Sequence, residues 1–257
     1  MSCAPPPAFW QRQPMLPLPL QRFLKARVEA ALQDPARRDL LVWPMILGAP
    51  KLRELHPEGL PEGLLLAKAA GPLAAVGSKD PAEAWRTCLA LLPDTAEPGA
   101  TGWRPHRAWG AQGRLLSLRS GVTLLVLTGQ PADERYLFAA ASALFNACLF
   151  HECHDALEPL WAAAEGDLKR QLQGLILMTG GYHLLQQHQR AGMQALWEDS
   201  VAALAEAGGR ISTRWGVLAF GEAMAVTVRR LAWLAEHPQE PELAALWELP
   251  RPEWELS

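Results

Sequence analysis

The chain has 257 residues, 49% hydrophobic and 20% charged, with a formal net charge of −3. That length suits one large domain or two small ones with substantial cores, and the near-neutral balance excludes the basic excess that nucleic-acid binding relies on, as well as general attraction to acidic membranes. Cys3, Cys88, Cys148 and Cys153 form no CxxC pair and no disulfide-framework spacing, which reads as a reduced, cytoplasmic protein.

The opening MSCAPPPAFWQRQPMLPLPL has no basic segment followed by an unbroken apolar run, so no signal peptide is expected. Its prolines predict irregular backbone. LQRFLKARVEAALQ, residues 20–33, sets Phe23, Val28 and Leu32 among charges and predicts an amphipathic helix. DLLVWPMIL, 39–47, reads as a short buried strand or extended segment interrupted by Pro44. Residues 48–79 hold many glycines and prolines and yield no assignment. DPAEAWRTCLALL then predicts a helix, capped by Asp80, with Pro81 in its first turn and Glu83 in the capping-box position. Residues 93–112 read as loop around Trp103 and Trp109. GRLLSLRSGVTLLVLTG, 113–129, clusters apolar residues on both sides of Ser120-Gly121 and predicts a β-hairpin. Two strands alone are marginal in water, so that hairpin should lean on neighbouring elements.

From Pro131 helical signals dominate, over 133–146, 149–164, 168–188, 190–207 and 216–236. Short connections make successive helices antiparallel neighbours, and Gly208-Gly209 ends the fourth. Residues 239–257, with Trp247 and Trp254 among prolines, read as a tail packed back on the surface. YLFAAASALFNACLF is shorter than the ~18 apolar residues a membrane span needs, and it contains Asn146. The expected fold is therefore mainly α: antiparallel helical hairpins over 131–238, a mixed α+β region with a small β-hairpin over 1–130, and the tail.

FNACLFHECHDALEPLW, 145–161, concentrates ionisable groups in an apolar helix. His154, Glu158 and Trp161 share one face, and His151–Asp155 and His154–Glu158 are two (i, i+4) acid–base pairs, while Glu152 points elsewhere. Pro159 should kink the helix. Exposed, the pairs would add little. Facing the interior, the charges would need partners, as a structural hydrogen-bond network, an acid–base couple or ligands of a divalent metal. His183 on the following helix is the natural third ligand. That helix also carries Gly174 and Gly181 on one face, with Gly180 beside them, and glycine weakens a helix interior by about 1 kcal/mol. Close approach of a neighbour would offset this, and Trp161 is the expected occupant of the space. Gln173 would project near the same seam, within reach of Glu158 or His154.

Together, FNACLFHECHDALEPLW and LQGLILMTGGYHLLQQHQRAGMQAL resemble the prokaryotic and plastid family catalogued as domain of unknown function 309. Its pattern runs Phe-Asn, a turn, Glu-x-His-Glu-x-x-Glu-x-x-Trp, then Gln-Gly-Leu-Ile-Gln, a later His, and Gly-Asn-x-x-Gly-Ala. Here it falls on Phe145, Asn146, Glu152, His154, Asp155, Glu158 and Trp161, then on Gln173, Gly174, Leu175, Ile176 and His183, within roughly 133–207. Asp155 stands for a Glu and Leu177 for a Gln. Cys148 takes the turn position usually held by Gly, which should make the break less sharp. Gln187-His188 replaces Gly-Asn, and Ala191-Gly192 inverts Gly-Ala. The resemblance implies an all-helical fold of antiparallel hairpins, similar to tetratricopeptide-type arrangements, with the Glu, His and Trp positions pointing inward. It implies no activity. His151, usually aromatic in the family, is implied to pack rather than ligate.

The expectation is an internal polar pocket of Glu152, His154, Asp155, Glu158, Trp161, Gln173 and His183. It would bind a small ligand or a divalent metal held by His154, Glu158 and His183, with hydrolysis as the chemistry if there is any. The rival is a non-enzymatic helical-hairpin scaffold that presents a groove to a protein partner, the His/Glu cluster being a buried network that sets helix register. Arg210, Arg214, Arg229 and Arg230 are too diluted by Glu206, Glu222 and Glu236 to predict a nucleic-acid partner. Catalytic residues, oligomeric state and the nature of any ligand stay open.

Overall fold

The computed structural model describes residues 16, 18–56, 61–78, 80, 82–83, 85–86, 96–99, 102–105, 110–131, 133–238 and 243–257. Contacts divide the described residues into two compact units, one within 14–129 and one within 130–257. Among the described residues no helix is long and apolar enough to cross a membrane.

The first unit is built on α1 (Leu18–Gln33), whose buried face carries Leu20, Phe23, Leu24, Val28, Ala31 and Leu32 at three- and four-residue spacing. A 3-10 turn (Pro35–Leu41) follows, its entry capped by Asp34, which accepts from the Ala36 N–H at 2.9 Å. It leads into α2 (Val42–Leu47), α3 (Pro50–Leu55) and α4 (Glu62–Ala75). DLLVWPMIL is thus helical rather than extended. Pro44 sits in the first turn of α2, where its missing N–H has no partner to lose. Asp80 caps as expected, its carboxylate accepting from the Glu83 N–H at 2.9 Å, and residues 82, 83, 85 and 86 are helical. The remainder of that helical reading, from 87 on, lies outside the described residues.

The unit does contain a β-hairpin, but at a different place. β1 (Ala96–Gly99) pairs antiparallel with β2 (Gly102–Pro105), inside the stretch read as loop. The 113–129 stretch belongs instead to one long helix, α5 (Gly110–Thr128), packed on α2. The expected turn residues serve the helix. Ser120 Oγ donates back to the Leu116 carbonyl at 2.7 Å, and Gly121 lets Met45 approach to within 3.4 Å of where a Cβ would stand.

In the second unit, α6 (Tyr136–Asn146), α7 (Phe150–Ala163), α8 (Gly166–Gln186) and α9 (Arg190–Leu204) pack each on the next. Gly208 and Gly209 then turn the chain at φ of 59° and 77°. The fifth predicted helix starts later than expected. Residues 210–219 form a hairpin of β3 (Arg210–Thr213) and β4 (Gly216–Ala219), with Ile211 opposite Leu218 and both buried. α10 (Gly221–Glu236) and α11 (Ala244–Glu248) follow, and β5 (Glu255–Leu256) closes a three-stranded antiparallel sheet in the order β3-β4-β5.

The tail is therefore part of this unit's core. Trp254 is 1% exposed and lies flat on Phe145, with ring centroids 3.9 Å apart and planes at 4°. Phe150, Tyr182 and Trp197 complete the aromatic cluster. Arg230, fully buried, donates to the carbonyls of Leu246, Leu249 and Pro250 and contacts the Tyr182 hydroxyl, whose other partner is Thr227.

Candidate functional site

The apolar residues of α7 set which way its ionisable groups face. Cys153, Ala156, Leu157 and Leu160 are buried, so the helix turns that side to its neighbours. Glu152 and Asp155 go with them, at 3% and 5% exposure. His154 and Glu158 do share a face, but the opposite one. Their side chains are 32% and 50% exposed, and His154 Nε2 meets Glu158 Oε1 at 3.0 Å. The inward pair is thus Glu152 and Asp155, whereas His154 and Glu158, expected inside with them, turn outward. The spacing gave the grouping of residues, whereas the direction of that group depended on which apolar residues the core accepts.

His183 does not turn toward His154. Its ring stacks on His151, centroids 5.1 Å apart and planes at 24°, and its Nε2 bonds the Gln187 side-chain amide. His151 Nδ1 in turn lies 4.0 Å from the buried Asp155 carboxylate. Among the described residues no three His, Cys, Asp or Glu side chains come together in a way that could hold a metal ion. Gln173 is half-buried, and no hydrogen bond joins it to Glu158 or His154.

Trp161 is likewise on the outside, half-buried, with the Lys169 ammonium 4.8 Å from its ring centroid. The space opposite the α8 glycines is filled from α9 instead. A Cβ at Gly181 would collide with the Trp197 indole, and one at Gly174 would stand 2.6 Å from Leu204 Cγ. Ser200 Oγ donates to the Gly174 carbonyl at 2.7 Å, a bond that only such close backbone approach allows.

The contacts His151–His183 and Trp161–Lys169 pin the two ends of an antiparallel seam between α7 and α8. Positions 151, 154, 158 and 161 form one stripe, and 169, 173, 180, 183 and 187 form the other. All of these positions are half-buried or exposed. Of the candidate residues, His154, Glu158, Trp161, Gln173 and His183 thus line an open seam on the hairpin's surface, whereas Glu152 and Asp155 are buried.

Residues 138–196, from α6 into α9, match the model of a family described as a domain of unknown function, DUF309. Over that segment the chain is similar to DUF309 proteins. No curated protein matches the chain, and neither does any solved structure.

Two turns of the matched segment carry the departures at Cys148 and at Gln187-His188 from the family pattern. Cys148 adopts φ of 58° and His188 φ of 57°, both left-handed. The break after Asn146 is consequently as sharp as a glycine would make it. At the end of α6 the Leu149 N–H bonds the Leu144 carbonyl and the Cys148 N–H that of Phe145. At the end of α8 the Gln189 N–H bonds Leu184 and the His188 N–H bonds Leu185. Both are Schellman caps. Buried Gln186 joins the two turns, its Nε2 donating to the Cys148 carbonyl at 3.0 Å. Burial pushes the Cys148 thiol up to about 12, and raises the Cys153 thiol well above its ordinary range with help from Glu152 and Asp155. Neither is a nucleophile at neutral pH.

Sequence reasoning passed over Tyr182 and Gln186, and it named Asn146 and Arg230 without the buried partners they have here. Asn146 and Trp254 were each conspicuous, one as a polar break in an apolar run and the other as a tryptophan among prolines, but nothing in a linear reading pairs positions 108 residues apart.

Proposed function

We propose that the DUF309-like segment is a binding module without a reaction of its own, and that it takes a protein partner along the seam of α7 and α8. The supporting observation is the continuous line of half-buried side chains (His151, His154, Trp161, Lys169, Gln173 and His183) that runs the length of the hairpin, with the Glu158 carboxylate exposed beside it. An indole, a cation, a carboxylate and imidazoles set in a row suit an extended or helical segment laid in a groove, with Trp161 as the residue of largest contact area. Hydrolysis has less support. The His154–Glu158 couple opens to solvent and makes no further hydrogen bond among the described residues, whereas a general base acts where its water is held in place.

A peptide selected from a random library for binding to the intact protein should lose at least about tenfold in affinity toward Trp161→Ala and Glu158→Lys variants, while the variants keep the wild-type Tm. Equal affinity for all three proteins would remove the seam as the docking face. The stacked His151–His183 pair favours one second reading, a divalent metal or small ligand held at that end of the seam. Calorimetric titration with zinc reads it: stoichiometric binding lost in His151→Ala and in His183→Ala would put the metal in the partner's place.

A further inference from the structure

The end of the chain is held in the manner of a bound peptide. Along Arg251–Leu256 burial alternates: Pro252 and Trp254 are buried, Glu253 and Glu255 exposed, and Leu256 half-buried. This is the period-two pattern of an extended segment reading one surface. Asn146 grips Trp254 by its backbone. Its Nδ2 donates to the Trp254 carbonyl at 2.7 Å, and its Oδ1 accepts from the Trp254 N–H at 2.8 Å. A carboxamide offers one donor face and one acceptor face, which match the N–H and C=O of an extended residue whatever its side chain. Further along, Ser257 and Val217 exchange both backbone hydrogen bonds, at 2.9 and 3.0 Å, so the segment adds a strand to β4. Upstream, Arg230 donates to the Leu249 and Pro250 carbonyls.

The main requirement on side chains is the planar ring against Phe145. The Trp254 indole N–H, although buried, makes no hydrogen bond among the described residues, so the slot recognises an aromatic face and not the indole's donor. Phe145 and Asn146 lie within the DUF309 match, whereas 249–257 lie outside it. The aromatic and carboxamide part of the slot thus lies inside the match, while Arg230, β4 and the occupant lie outside it.

We propose that Phe145, Asn146, Arg230 and the edge of β4 form a second docking site, for an extended peptide of the form proline-x-aromatic-x-leucine, which this chain fills with its own residues 249–257. The incoming ligand is a protein segment of the same chemistry, which must displace the one already seated. The site shares no residue with the α7–α8 seam, so the failure of either leaves the other standing.

The test uses the full chain and a fluorescein-labelled peptide of sequence Leu-Pro-Arg-Pro-Glu-Trp-Glu-Leu-Ser. Trp254→Ala weakens the resident segment, and this variant should bind the peptide at least about tenfold more tightly than wild type, since a tethered occupant competes at an effective concentration in the millimolar range. Adding Asn146→Ala, or replacing the peptide's tryptophan by alanine, should remove the gain. A natively folded Trp254→Ala protein that binds no better than wild type overturns the proposal. Should that variant not fold, hydrogen exchange on wild type decides. Millimolar unlabelled peptide should accelerate exchange at the Trp254 and Ser257 amides, and rates that do not change would overturn it equally.

Discussion

Cys148 and His188 each hold a left-handed backbone at the end of a helix, a conformation that costs an ordinary L-residue about 1–2 kcal/mol. They stand where the family pattern has Gly and Asn, so a departure visible in the sequence marks the two Schellman caps that fix the ends of α6 and α8. The pattern gave the location of each turn. That the turn survives without glycine was not legible, because it depends on Leu144 and Leu149, and on Leu184 and Gln189, closing the cap from either side. In the first unit a different residue carries a measurable consequence. Burial raises the Asp39 carboxyl above its usual range, partly opposed by the hydrogen bond it accepts from Ser78 at 3.0 Å. The folded chain then binds this proton more tightly than the unfolded chain. Asp39 therefore contributes stability at low pH that is lost as pH rises from the ordinary aspartate value through the raised one. Asp39→Asn keeps an acceptor for Ser78 and cannot ionise, so its Tm should rise relative to wild type as the pH climbs above the ordinary aspartate range. A Tm difference that stays constant over that climb would show that Asp39 titrates as it does in the unfolded chain.

Among the elements, the interface of α8 and α9 depends most on side chains that are absent. Gly174 and Gly181 let Leu204 and Trp197 sit on the backbone of α8, and the Ser200 hydroxyl bonds into the same gap. Gly181→Ala must move a fully buried indole, and should cost about 1–3 kcal/mol in chemical denaturation. Gly71→Ala in α4, where a Cβ meets nothing within 4 Å, is the control and should be neutral or stabilising. Comparable losses from both variants would mean that helix propensity, and not packing, sets the effect. The sequence showed that something must approach these glycines. It did not show what, because Trp161 and Trp197 are equally aromatic and only the outward turn of α7 rules out the first. The same ambiguity explains α5 and α2. Continuous apolar runs satisfy the period of a strand and of a buried helix alike, and Ser120-Gly121 and Pro44 are turn signals that a helix also tolerates. The 210–219 hairpin was hidden differently, because Gly216 and the β-branched residues around it stand directly against a strongly helical segment.

For the whole molecule, the boundary near residue 130 separates two units with their own buried residues. The second contains the aromatic cluster, the four packed helices and the segment that completes its sheet. A fragment of residues 130–257 should fold alone, with helical circular dichroism and one cooperative thermal transition. The absence of a cooperative transition in the fragment would mean that its core is completed from outside 130–257. The overall helical character and the antiparallel order of the C-terminal helices were readable from periodicity and loop length. The membership of the tail in the core was not, since residue 254 meets residue 145 through a stacked ring and two backbone bonds that have no signature in local pattern.

β5 is only two residues long, yet it occupies the outer side of β4. A strand flank left bare invites pairing with any other chain that offers one. Whenever Trp254 leaves its slot, Val217 regains an unmet amide and carbonyl, and the molecule acquires a sticky margin at the same moment that it becomes receptive to a new ligand. Receptivity and the hazard of self-association are thus coupled through one short segment, and an incoming chain must cap that margin as well as fill the aromatic slot if the complex is to stay soluble.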